Sequence, residues 1–216
     1  MGSSEELRKL VLDTNKPQGR LNTIAEVAFI GLVAYFEAFF KNHFASILNI
    51  CPDLLCLLKK SGMDVTVDST DILNVMPNFS GRLGFIVAEK YDFGTAHKIN
   101  SFYQALLDIS PFSKENKRKY DIILSDRNLL VHHSGIYTIS YSKQRFAEKK
   151  INGLANWQSL VVSKESYTSV SLFFEKIVKK TTKSTKQSLS DYIENNGITL
   201  RESQQKAIDL LEMGSK

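Results

Sequence analysis

The segment formed by residues 21–49 constrains the fold more than any other part of the chain. It follows Pro17-Gln18-Gly19 and stops before Pro52, as a helix between two breakers does. Its apolar residues cover most of the helix circumference: Ile24, Val27, Ala28, Phe29, Ile30, Leu32, Val33, Phe36, Phe39 and Phe40. A helix that is apolar on most sides is buried on most sides. We therefore expect a central bundle helix, part of whose surface meets a second subunit.

The charges in this segment argue against a membrane span. Residues 24–40 contain Glu26 and Glu37, are flanked by Arg20 and Lys41, and fall short of the ~20 unbroken apolar residues that a span requires. The first ten residues are polar and charged, unlike a signal peptide. These features predict a cytoplasmic protein with no membrane partner.

Composition limits the classes of protein to consider. With 216 residues, 43% of them hydrophobic, the chain can bury one sizeable core. A net charge of +5 fits a polyanionic partner such as RNA, although charge alone is weak evidence for one. Cys51 and Cys56 stand among leucines and lack companion ligands at zinc-site spacing, so they predict buried, reduced thiols. We expect no metal and no other cofactor.

The remaining pattern is mostly helical. Helices are predicted at residues 52–60, 69–74, 82–91, 95–108, 114–133, 163–195 and 199–213. Residues 136–162 are the least regular part, and a hairpin-like insertion is predicted around residues 137–141. The expected architecture is all-α, a helical bundle with irregular connections in one domain of residues 1–216.

The helix predicted at residues 114–133 carries an unusual surface. At ~100° per residue, Asn128 and His132 stack on one face, and Arg127 reaches toward them across Val131. The predicted core side of the helix holds four apolar residues: Ile122, Ile123, Leu129 and Leu130. An arginine, an amide and an imidazole around apolar residues predict a cleft or a subunit interface. Asp126 falls near the middle of the core side, where the sequence offers no reason for a carboxylate.

The pattern Arg127-Asn128-x3-His132, with Gly135 just beyond the helix end, resembles the Arg-x4-His signature motif of HEPN-domain proteins. The resemblance implies an up-and-down helical bundle that forms homodimers, in which the motif residues of two subunits face each other in one cleft. Many proteins of this family are metal-independent endoribonucleases, including toxins and phage-defence effectors. Others are noncatalytic binding domains.

The resemblance also implies roles for individual residues. Arg127, Asn128 and His132 would be catalytic, and Glu37 on the early long helix would approach them and pair with Arg127. The alternative for Glu37 is a place at the solvent edge. His133 either assists at the site or caps the helix, where a histidine meets the negative end of the dipole.

Basic residues at the start of the same helix are candidates for binding RNA. Lys117 and Arg118, together with His133, are predicted to contact phosphate. A solvated lysine-rich face is the alternative. The two remaining histidines, His43 and His97, are interpreted as packing or surface residues.

The expected reaction uses the nucleophile that RNA itself carries, the 2′-hydroxyl. Two copies of His132 would supply a base and an acid, and Arg127 would bind the phosphate oxygens. The products would be a 2′,3′-cyclic phosphate and a 5′-hydroxyl. The alternative is a noncatalytic HEPN module that binds a nucleotide, RNA or a protein such as a nucleotidyltransferase antitoxin. A third possibility is an accidental motif with Arg127 in a surface salt bridge.

Overall fold

A computed structural model describes residues 5–6, 8–9, 23–76, 79–145 and 158–213. The helices are α1 (Thr23–Ile50), a 3-10 turn (Pro52–Leu54), α2 (Leu55–Lys60), α3 (Ser69–Val75), α4 (Phe79–Glu89), α5 (Ala96–Leu107), α6 (Lys114–His133), α7 (Ile139–Arg145), α8 (Lys164–Asn195) and α9 (Glu202–Met213). Within these ranges, β structure is limited to one bridge between Ile136 and Ser159. The predicted all-α class is confirmed.

Helix α1 is buried on most sides, as its apolar circumference predicts. Phe29, Val33 and Phe40 are buried, whereas Ile24 and Val27 near its start are 43% and 61% exposed. None of the described helices has the length and apolarity needed to cross a bilayer.

Local signals in the sequence account for the starts of two helices. The Asp68 carboxylate accepts a hydrogen bond from the Thr70 amide at 2.9 Å and starts α3. The Thr95 hydroxyl does the same for the Lys98 amide and starts α5. The predicted helices therefore appear within a few residues of their expected bounds.

The hairpin predicted around residues 137–141 is wrong, because this stretch begins α7. The alternation of Tyr137, Ile139 and Tyr141 favours a strand, but the Thr138 hydroxyl accepts a hydrogen bond from the Tyr141 amide at 3.1 Å. Tyr141 and Arg145 both contact one carboxylate on α6, which residues four apart can do from a helix, where they lie about 6 Å apart, but not readily from a strand, where they lie about 13 Å apart.

The chain divides into two compact units. Unit 1 comprises Met1–Phe36 and Lys114–Glu175, and unit 2 comprises Glu37–Ser113 and Lys176–Lys216. An aromatic cluster forms part of the core of unit 1. There the Phe36 ring stacks on the Phe174 ring with centroids 3.8 Å apart, and Tyr120 packs edge-on against Phe36 at 5.4 Å.

The core of unit 2 is also rich in aromatic residues. Tyr103 is fully buried and packs edge-on against Phe40, with ring centroids 5.7 Å apart. The buried Asn100 side chain donates to the Phe112 carbonyl at 2.8 Å and accepts from the Phe112 amide at 2.9 Å. This pair of hydrogen bonds satisfies both backbone groups of Phe112 in the connection between α5 and α6.

The prediction of two buried thiols is right for Cys51 and wrong for Cys56. Cys51 is buried, and burial raises the pKa of its thiol. Cys56 is exposed, because Leu54 and Leu58 occupy the buried side and Cys56 lies about 200° around the helix from Leu54. Neither cysteine is in a disulfide.

Helix α4 approaches α1 closely at Gly84. The Gly84 amide donates to the Asn49 side-chain oxygen at 2.7 Å, and a Cβ at Gly84 would lie 1.9 Å from the Ala45 carbonyl oxygen. A side chain at this position would therefore push the two helices apart.

We expect Gly84→Ala to lower the free energy of unfolding by about 1–3 kcal/mol, because the added methyl overpacks the contact. Gly81→Ala, on the same helix, is the matched control. A Cβ at Gly81 would meet no other atom within 4 Å. Alanine at Gly81 should stabilise the helix by up to about 1 kcal/mol. Urea denaturation of both variants measures the difference. Equal effects of the two substitutions would contradict the close contact.

His43 is a core residue, as the sequence predicts, and His97 is exposed. The His43 Nδ1 atom lies 2.7 Å from the Tyr103 hydroxyl oxygen, and that hydroxyl also lies 3.3 Å from the Phe40 carbonyl oxygen. The Nε2 atom is buried and has no hydrogen-bond partner among the described residues. Burial lowers the pKa of His43 from 6.5 to about 4.

We expect this histidine to make folding pH-dependent. Because the folded pKa lies below the unfolded one, the stabilisation is complete above pH ~6.5 and is lost as the pH falls toward 4. The loss from His43 should reach roughly 2–3 kcal/mol at pH 4.5. His43→Phe should lack this part of the loss, so the difference in unfolding free energy between variant and parent should change between pH 7 and pH 4.5. An equal difference in unfolding free energy at pH 7 and pH 4.5 would contradict a pH-dependent contribution from His43.

Candidate functional site

Helix α6 is buried along the side that the sequence predicts, with one correction. Ile123, Leu129 and Leu130 are buried, but Ile122 is 39% exposed. Helix α7 contacts α6 at Ser125, whose hydroxyl donates to the Gln144 side-chain oxygen at 3.3 Å. Ile122 lies three residues earlier on α6.

The motif side chains lie on the opposite, solvent-facing side of α6. Asn128, His132 and His133 are exposed, Arg127 is half-buried, and Val131 between them is 47% exposed. The Arg127 Nη1 atom donates to the Asn128 side-chain oxygen at 2.9 Å. The structure thus brings Arg127 and Asn128 into contact, with His132 one turn further along the same face.

The end of α6 is held by backbone hydrogen bonds. Ser134 and Gly135 both have positive φ, of 50° and 78°, and the Gly135 amide donates to the Leu129 carbonyl at 3.1 Å. The Gly135 carbonyl in turn accepts from the Leu160 amide at 2.8 Å. His133 lies in the last helical turn, and its ring forms no hydrogen bond with a described residue, so any capping by His133 is electrostatic.

The left-handed turn after the motif gives a test. Gly135→Ala should lower the free energy of unfolding by about 1–2 kcal/mol, since an L-residue is strained at this φ. Ser134→Gly should be neutral or stabilising, because it removes the same strain from the neighbouring residue. Thermal unfolding of both variants compares them. If Ser134→Gly destabilised the protein as much as Gly135→Ala does, the left-handed turn would be ruled out.

The two predicted RNA-binding residues at the start of α6 lie apart from the Arg127–Asn128 contact. Lys117 is half-buried and Arg118 is exposed, both in the first half of α6. Lys117 precedes Asn128 by eleven residues, which places it on the same helix face about 16 Å away. Glu37 is half-buried and belongs to unit 2, so its pairing with Arg127 stays a prediction.

Asp126 has no role that the sequence predicts, but the structure connects it to α7. The Tyr141 hydroxyl donates to Asp126 Oδ1 at 2.8 Å, and the Arg145 guanidinium lies 3.7 Å from Asp126 Oδ2. Burial raises the pKa of the Asp126 carboxyl, and the hydrogen bond from Tyr141 offsets part of that effect. A carboxylate on the predicted core side was the available signal, but the sequence did not reveal its partner.

No metal cluster is formed by the described residues, since no three or more of their His, Cys, Asp and Glu side chains group together. Comparisons of the chain with protein-family models, with curated proteins and with solved structures find no match. The resemblance to HEPN proteins therefore rests on the motif and on the helical layout.

Proposed function

We propose that the protein is a metal-independent endoribonuclease of the HEPN type, acting as a homodimer. The observation that supports this function best is the Arg127–Asn128 contact on the exposed face of α6, with His132 one turn away. A guanidinium, an amide and an imidazole within the last two turns of a helix suit the binding and cleavage of a phosphodiester.

Each group has a distinct chemical task in this proposal. The Arg127 fork binds the non-bridging phosphate oxygens, and Asn128 orients that fork through its side-chain oxygen. His132 removes the proton from the 2′-hydroxyl, which attacks the adjacent phosphorus. A second His132 protonates the departing 5′ oxygen. The products are a 2′,3′-cyclic phosphate and a 5′-hydroxyl.

The need for two histidines in different protonation states motivates the dimer. One protomer contributes one His132, and exposed apolar residues on either side of it in the chain suit contact with a second copy. They are Val131, Ile136 and Ile139, all in unit 1. A contact through this surface would bring the two copies of His132 toward each other.

Lys117 and Arg118 support an RNA substrate. Their place on α6, with Lys117 on the motif face, suits contacts to phosphates flanking the scissile one. The biological role that fits this activity is that of a toxin or a phage-defence effector, held in check by an antitoxin or another regulatory protein.

The test is cleavage of a mixed RNA pool in EDTA. We expect the parent protein to cut RNA and His132→Ala to lose at least 100-fold in rate, because the variant lacks the group that transfers the proton. His97→Ala, which removes an exposed histidine from α5, is the matched control and should cut at the parent rate. Phosphatase-resistant, cyclic 3′ ends on the fragments would identify the mechanism.

Two results would count against the reaction. Equal cleavage by the parent and His132→Ala would remove His132 from the mechanism. Binding of RNA without cleavage, weakened when Arg127 is replaced by alanine, would favour a noncatalytic HEPN module.

A further inference from the structure

Asp126 is the point where α7 is attached to the motif helix. Its side chain is 14% exposed and lies next to Arg127 in the chain, but on the other side of α6 from Asn128. Tyr141 and Arg145, one turn apart on α7, both contact its carboxylate. Tyr141 is itself held by the Tyr137 ring, with centroids 5.0 Å apart. Asp126 thus has contacts from both ends of α7.

This cluster attaches a short helix at a cost in free energy. Removing a carboxylate from water costs several kcal/mol unless charged or hydrogen-bonding partners offset the cost, and apolar side chains of similar volume often stabilise as well or better. What an apolar contact lacks is direction, because a hydrogen bond and an ion pair fix the orientation of α6 about its own axis. The cluster therefore suits a function that requires a defined orientation.

The motif lies between two such attachments. Asp126 holds α6 immediately before Arg127, and Gly135, through its bond with Leu160, holds the chain just after His133. Residues 127–133 therefore cannot rotate or slide without breaking a contact at one end. Misplacement of a reacting group by ~1 Å can reduce a reaction rate about 100-fold.

We propose that Asp126, Tyr141 and Arg145 form a positioning cluster that sets the orientation of Arg127 and His132, an inference that rests on the proposed function for its kinetic consequences. None of the three touches the substrate. Their task is to hold α7 against α6, so that the motif side chains enter the reaction from one fixed helix orientation.

Tyr141→Phe is the sharpest test, because it keeps the ring and its packing and removes only the hydroxyl that binds Asp126. We expect kcat for RNA cleavage to fall about tenfold with KM within twofold of the parent, since orientation is lost while RNA contacts remain. Ser140→Ala is the matched control, an exposed hydroxyl on the same short helix. It should leave both constants unchanged.

Side-chain NMR signals of the full chain supply a readout that needs no activity. In Tyr141→Phe, the Arg127 Nε–Hε and His132 ring signals should shift, while in Ser140→Ala they should stay in place. Asp126→Asn retains an oxygen that can accept from Tyr141, so its signals should lie nearer to the parent than those of Asp126→Ala.

The two proposals fail in different ways. If the parent cuts no RNA but the Arg127 and His132 signals shift in Tyr141→Phe, the nuclease is wrong and the positioning cluster stands. If both signals stay in place in Tyr141→Phe, the positioning cluster is overturned, whether or not the parent cuts RNA.

Discussion

The burial of α1 is the constraint on which the rest of the structure depends. Apolar side chains around most of its circumference cannot all face water, so other segments of the chain have to cover several sides of one helix. Both units use its aromatic residues: Phe36 stacks with Phe174 in unit 1, and Phe40 packs on Tyr103 in unit 2. A helix with only one apolar stripe would need other segments to cover only one of its sides. The uncovered side of α1 begins at Ile24 and Val27.

Helix content could be read from the sequence because its signals are local. Asp68 and Thr95 accept hydrogen bonds from amides two and three residues ahead, and Gly62 supplies a positive φ after α2. Helix α7 has one such local signal, the Thr138 hydroxyl that accepts from the Tyr141 amide, but its first residues also alternate as a strand does. Its attachment to α6 depends on Asp126, which lies fifteen residues before Tyr141. Contacts at such separation are decided by tertiary packing rather than by local pattern.

The candidate site likewise has features that follow from local spacing and features that depend on tertiary packing. The exposure of Asn128 and His132 on one face of α6 follows from their spacing of four, and the sequence predicts it. The bond from Arg127 to Asn128 joins neighbours in the chain, yet it depends on a rotamer of a long side chain that no pattern specifies. The pairing of Glu37 with Arg127 needs the relative placement of two helices, and spacing along one chain does not supply that information.

Asp126 shows why a departure from the hydrophobic pattern is informative. At a position where apolar residues would pack with less cost, the chain keeps a carboxylate whose charged form is disfavoured by burial. Stability alone does not explain the choice, since the hydrogen bond and the ion pair only offset a penalty that a leucine would never incur. Orientation does explain it. A leucine packs acceptably over a range of helix rotations, whereas Tyr141 and Arg145 meet Asp126 in only one. Since Arg127 is the next residue, whatever fixes Asp126 also fixes the direction in which the motif begins.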